Sequence, residues 1–146
     1  MTAKSISAIC QVTAHITIFA WQYYQQLHLT SSRLPFETQI YFWGTFFIRT
    51  ILMTVAVQIA ISIVFHIIFR IKTGERIDLQ DERDQLFELR SLRNFSIIFA
   101  IGFYLGMLLL MFNFSIATMF QSLAFAYLFA GMTLSASQIF YYERGY

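Results

Sequence analysis

Thr54, Gln58, Ser62 and His66 recur every four residues in an otherwise apolar stretch, and Gln11 and His15 stand four apart in an earlier one. At about 100° per residue this spacing keeps the side chains on one slowly rotating face of a helix. Gln22, Gln25 and Gln26 continue roughly the same side of the earlier stretch. In lipid, such groups turn inward, because hydrocarbon offers them no hydrogen bond. Antiparallel pairing of the two stretches at about 1.5 Å per residue brings Gln11 near Ser62 and His66, and Gln22 near Thr54. The chemistry open to this polar seam is interhelical hydrogen bonding, worth about 0.6 kcal/mol per bond, or a hydrated, ligand-lined cleft of the kind that costly intramembrane polar groups mark. His15 and His66 are also a candidate imidazole pair for a b-type haem, at depths expected to differ by roughly 9 Å. No acid lies where it would complete a nucleophilic set with His15 and Ser62, so a hydrolase is disfavoured.

The environment follows from composition. Of 146 residues, 58% are hydrophobic and 12% charged, against roughly 45–50% and about 25% in soluble domains. The mean hydropathy is +0.59. A globule this small has too little interior to hide that apolar surface from water. A net charge of +2 gives no electrostatic footprint for nucleic acid, and the single cysteine, Cys10, forms no internal disulfide.

Charge-free stretches run from Ser5 to Ser32, Thr50 to Phe69, and Asn94 to Tyr142. A crossing needs about 20 apolar residues, so the first two hold one each and the third holds two. The turn in the third falls at Asn113 and Ser115, or at Thr118 and Gln121. The expected fold is all-α, a single domain over residues 1–146, an integral membrane bundle of four transmembrane helices. Its spans are about 5–28, 45–70, 94–114 and 118–142, with a connecting segment over 71–93. Lys4, the basic residues from Arg70 to Arg93, and Arg144 share one side of this arrangement, with Arg33 opposite. That asymmetry predicts both termini in the cytoplasm. Trp21, Tyr23, Tyr24, Tyr41 and Trp43 would then form an interfacial belt around the outer loop. One lysine precedes a first stretch already broken by Gln11 and His15, so a cleavable signal is not expected. Arg49 lies at or inside the edge of the second span. There it snorkels to outer headgroups or serves an anion or lipid-headgroup site.

In the connecting segment, Gly74 suits a helix C-cap, and Asp78 or Asp81 can start a new helix with acids in its first turn. Lys72, Arg76, Arg83 and Arg90 fall in one narrow arc of a helical wheel, with Asp78, Asp81, Asp84 and Glu88 opposite. None of these acids has a basic partner three or four residues downstream, the self-stabilising arrangement. Sorted stripes therefore expect partners elsewhere, the basic one on anionic headgroups at about 1 kcal/mol per residue, the acidic one on a neighbouring subunit. The segment reads as an amphipathic cytoplasmic helix continuing into the third span. That span carries Gly102 and Gly106 in a G-x-x-x-G, and the fourth answers with Ser122, Ala126 and Ala130 at the same spacing. Such small residues let two backbones approach closely, within one chain or between copies.

At Asp81-Glu82-Arg83-Asp84, followed by Leu86, Glu88 and Arg90 before an apolar span, the chain resembles small prokaryotic four-span membrane proteins with an Asp-Glu-Arg signature just ahead of a transmembrane helix. The likeness covers the middle third of the chain. It implies topology and a prokaryotic inner membrane, and carries no reaction with it. The function expected is a non-enzymatic inner-membrane scaffold or accessory subunit, in a homo-oligomer or beside a membrane-protein partner, with no bound metal or cofactor. The alternatives are an oligomeric channel or carrier along the polar seam, and a haem- or quinone-binding redox protein.

Overall fold

A computed structural model describes residues 3–29, 35–73 and 82–144. It contains four helices: α1 (Ala3–Leu29), α2 (Phe36–Thr73), α3 (Glu82–Met111) and α4 (Ile116–Arg144). Among the described residues there is no strand. Arg76, Asp78 and Asp81 of the connecting segment, with Gly74, lie outside the described residues.

Local chemistry sets the ends. The carbonyl of Pro35 accepts the N–H of Gln39 at 3.1 Å. α2 thus begins directly behind the ring that blocks an earlier start, with Glu37 in its first turn, where the helix dipole favours an acid. It starts well ahead of the expected Thr45, because nothing from Phe36 onward interrupts helix. α3 runs unbroken from its charged beginning at Glu82 into the apolar stretch. Its end is a Schellman motif. Asn113 takes a positive φ of 60°, the N–H of Phe114 reaches the carbonyl of Leu109, and that of Asn113 reaches Leu110, both at 3.0 Å. Ser115 then caps α4, its hydroxyl accepting the N–H of Thr118 at 3.2 Å. Of the two turns compatible with the sequence, the Asn113–Ser115 one forms.

Among the described residues three helices are long and apolar enough to cross a membrane, over Phe36–Ile68, Asp84–Met111 and Ile116–Arg144. α1 has the length, but Gln11, His15, Gln22, Gln25, Gln26 and His28 dilute its apolar character below theirs. The helices lie in a row, α2–α1–α4–α3. The longest seam joins α3 to α4, α1 touches α2 and α4 about equally, and α2 barely meets α4. Among the described residues α2 and α3, consecutive in the chain, do not touch.

Two contacts hold the row. Toward the Pro35 end, Phe19 of α1, Trp43 and Phe46 of α2, and Ala124 of α4 form the buried core, with Tyr23, Phe47 and Phe120 against it. The Trp43 and Phe120 rings stack at 5.9 Å, and Phe19 meets Phe46 edge-on at 6.0 Å, arrangements that add about 0.5–1.5 kcal/mol each beyond burial. Trp43 and Tyr23, expected in an interfacial belt, belong instead to this core, while Trp21, Tyr24 and Tyr41 are exposed. The second contact is the small-residue seam of α3 and α4. Gly102 faces Ala126 and Gly106 faces Ser122 and Leu123, so this chain uses the G-x-x-x-G to pack its own helices. Ala130 is fully buried nearby in the sequence of α4. Toward the Arg144 end, Asn94 donates to the Ser137 hydroxyl at 3.0 Å, and Phe87 stacks on Tyr141 at 5.6 Å.

A Cβ at Gly102 would overlap that of Ala126, whereas one at Gly44 meets nothing within 4 Å. Gly102→Ala is therefore expected to lower stability by about 1–3 kcal/mol and Gly44→Ala to leave it unchanged within about 0.5 kcal/mol. Thermal or denaturant unfolding of the detergent-solubilised protein reads both.

Candidate functional site

The buried polar side chains collect around α1. His15 is 4% exposed, Thr50 1%, Thr54 3% and Gln22 4%. His15 does not face the lower half of α2. Its ring lies against α4, 5.2 Å from the Tyr127 ring at 56°, in a space that exists because residue 131 is glycine: a Cβ there would land on the imidazole. Thr54 reaches the same level from α2, and the Tyr127 hydroxyl approaches it short of full hydrogen-bond geometry. Three helices thus bring an imidazole, a phenol and a threonine hydroxyl to one node.

Neither ring nitrogen of His15 has a hydrogen-bond partner, nor have Thr50 Oγ1, Thr54 Oγ1 and Trp43 Nε1, all buried. Leaving such a group without a partner costs about 1–3 kcal/mol, so a packing role alone explains this set poorly. A polar ligand or a proton-carrying path would satisfy it.

Above the node, Gln22 donates through Nε2 to the Met53 sulfur at 2.7 Å, a weak acceptor. This is the α1–α2 pairing, one residue from the Thr54 expected. Gln22, Gln25, Gln26, Thr45 and Arg49 then border a cleft of about 170 Å³. The rest of the expected seam disperses. Gln11 donates to the Ser7 hydroxyl of its own helix at 3.5 Å. Gln58 and Ser62 are half-buried and His66 is exposed, its Nδ1 donating to the Ser62 carbonyl at 2.8 Å. A four-residue repeat overshoots a turn by about 40°, so the stripe that faces α1 at Thr54 has swung roughly 120° away by His66. His15 and His66 consequently do not converge. Among the described residues no three His, Cys, Asp or Glu side chains gather as a metal site.

Of the striped segment, Asp84 is half-buried, Glu88 and Arg90 are exposed, and both acids lie within electrostatic reach of the Tyr142 phenol. Arg83 stands in the first turn of α3. Sequence reasoning missed Trp43, Thr50 and Tyr127 as members of the polar set. Thr50 was visible as the residue four before Thr54, but Tyr127 and Trp43 carried no spacing signal. Comparison with protein-family models, curated proteins and solved structures gives no match.

The contact of His15 with Gly131 makes a testable pair. Gly131→Ala is expected to cost about 1–3 kcal/mol in the wild-type background and close to nothing when His15 is already alanine. A double-mutant cycle of unfolding free energies measures that coupling, and additive effects would separate the two residues.

Proposed function

We propose that the chain is a four-span membrane protein, α1 being the fourth crossing, which acts as a non-enzymatic scaffold or accessory subunit assembling laterally through α2. The observation that supports this is the exposure of α2. It is the most apolar helix, yet only 6% of its membrane-competent stretch is buried, and it ends the row with one face uncovered. On that face Ala56, Ala60, Ile63 and Ile67 are all exposed. They follow a four-three-four spacing, the repeat at which two helices interlock, and the paired alanines allow close approach. The occupant favoured is a second copy of this chain. The basic side of the charge pattern supports a cytoplasmic location for both termini, and the Asp-Glu-Arg resemblance favours a prokaryotic inner membrane.

A transport reading has its own support in the unpartnered set of His15, Thr50, Thr54 and Trp43. If it holds, liposomes carrying the protein leak a small polar solute or protons, and Thr54→Leu suppresses the leak.

The assembly reading is tested by cysteine cross-linking in native membranes. In a Cys10→Ser background, cysteine at Ala60 or Ile63 is expected to give a covalent dimer on oxidation, and cysteine at buried Thr54 none. Monomer alone at both exposed positions would sink this reading.

A further inference from the structure

Arg49 is the one ionised side chain of α2 between Glu37 and Arg70, and α1 contains no acid at all. It stands between two recesses. On one side is the cleft bordered by Gln22, Gln25, Gln26 and Thr45, about 170 Å³. On the other is an open, apolar groove of about 670 Å³ over Gly44, Ile48, Leu52 and Met53. No carboxylate lines either one.

The two recesses differ in polarity: the three glutamine carboxamides line the first beside Phe42 and Phe46, whereas Gly44, Ile48, Leu52 and Met53 make the second more apolar. Tyr41, Thr45 and Arg49 share a face of α2 at four-residue spacing, and helical side chains lean toward their helix N-terminus. The guanidinium therefore rises toward Thr45 and Tyr41, at the Pro35 end. Around it are the carboxamides of Gln22, Gln25 and Gln26, while the Thr45 hydroxyl donates to the Tyr41 carbonyl at 2.9 Å. Gln22 spends its amide on a thioether and loses little by turning to a better acceptor. A fixed cation ringed by donors and lacking a counter-charge is complementary to a phosphate, which guanidinium meets with two parallel hydrogen bonds. The groove owes its depth to the missing side chain at Gly44, where a Cβ would meet nothing within 4 Å. Depth agrees as well. Arg70 lies roughly 30 Å farther along α2, about one hydrocarbon thickness, so Arg49 stands at the headgroup boundary of the loop-side leaflet.

We infer that Arg49 and its two recesses bind one anionic phospholipid, the phosphate held by Arg49 with the glutamine carboxamides and one acyl chain lying in the groove over Gly44. The site occupies the Pro35-side half of α2, apart from the Ala56–Ile67 face, so it stands or falls independently of the assembly reading.

Native mass spectrometry of the full-length protein in detergent tests it, with phosphatidylglycerol and phosphatidylcholine of identical acyl chains as probes. Wild type is expected to retain one phosphatidylglycerol with about tenfold preference, equivalent to about 1.4 kcal/mol. Arg49→Gln should abolish the preference. Gly44→Leu, whose Cβ enters open space and whose side chain occupies the groove, should weaken retention of both lipids about tenfold. Circular dichroism should give wild-type helix content for both variants. Equal retention of the two lipids by wild type, or an unchanged preference in Arg49→Gln, overturns the site. Undiminished binding by Gly44→Leu overturns the placement of the acyl chain. Displacement of the lipid by glycerol phosphate at matching concentration would make a free anion the occupant and overturn the lipid.

Discussion

The helix with the least apolar membrane-length stretch, α1, sits inside the row, and the two with the most apolar stretches, α2 and α3, sit at its edges. That ordering is the constraint on which the other features depend. In water the hydrophobic effect would drive the isoleucine-rich faces of α2 inward. In hydrocarbon those faces cost nothing to expose, while an amide or imidazole without a partner costs several kcal/mol. α1, with its glutamines and His15, is therefore the helix that needs cover on two sides. α2 and α4 supply it, and α3 is left to pack on α4 alone. Among the described residues α2 and α3 do not touch, and polar groups they cover, Thr50 and Thr54 on α2 and Asn94 on α3, turn to α1 and α4 instead.

Within that order, geometry is set by residue size more than by hydrogen bonds. Gly102 and Gly106 bring α3 against α4 at Ala126 and Ser122. Gly131 makes room for His15, and Ala124 leaves space for the ring cluster around Trp43 and Phe46. Side-chain hydrogen bonds cross between helices from Asn94 to Ser137 and from Gln22 to Met53. Several serine and threonine hydroxyls bond back to carbonyls of their own helix, as Thr13, Thr17, Ser91 and Thr133 do. The polar groups left over, His15, Thr50, Thr54 and Trp43, are buried and unsatisfied.

Much of the architecture was legible in the residues. The charge-free stretches marked where helices run, Asn113 and Ser115 were one of two turns open to the sequence, and helix-forming sequence from Asp81 onward marked α3 as one piece. These features are local: caps act within a turn, and an apolar run long enough to span needs no neighbour to define it. The polar seam was legible as a set but not as a partnership. Gln22 meets Met53 across α1 and α2, one residue from the Thr54 that antiparallel register suggests, while His66 swings out to the exposed face.

What the sequence by itself determined is the helix count and the lipid-compatible surface, because each depends on periodicity and composition along one stretch of backbone. The tertiary structure alone decided that α1 is covered from two sides and that His15 turns to Tyr127 and Gly131. It likewise decided that Trp43 is core, and that Arg49 stands between a polar cleft and an apolar groove. Which of several polar faces is covered, and by what, depends on the rotation and order of rigid helices about one another. That choice is made by the sizes of residues far apart in the chain, glycine against histidine and glycine against alanine, and no spacing within a single helix records it.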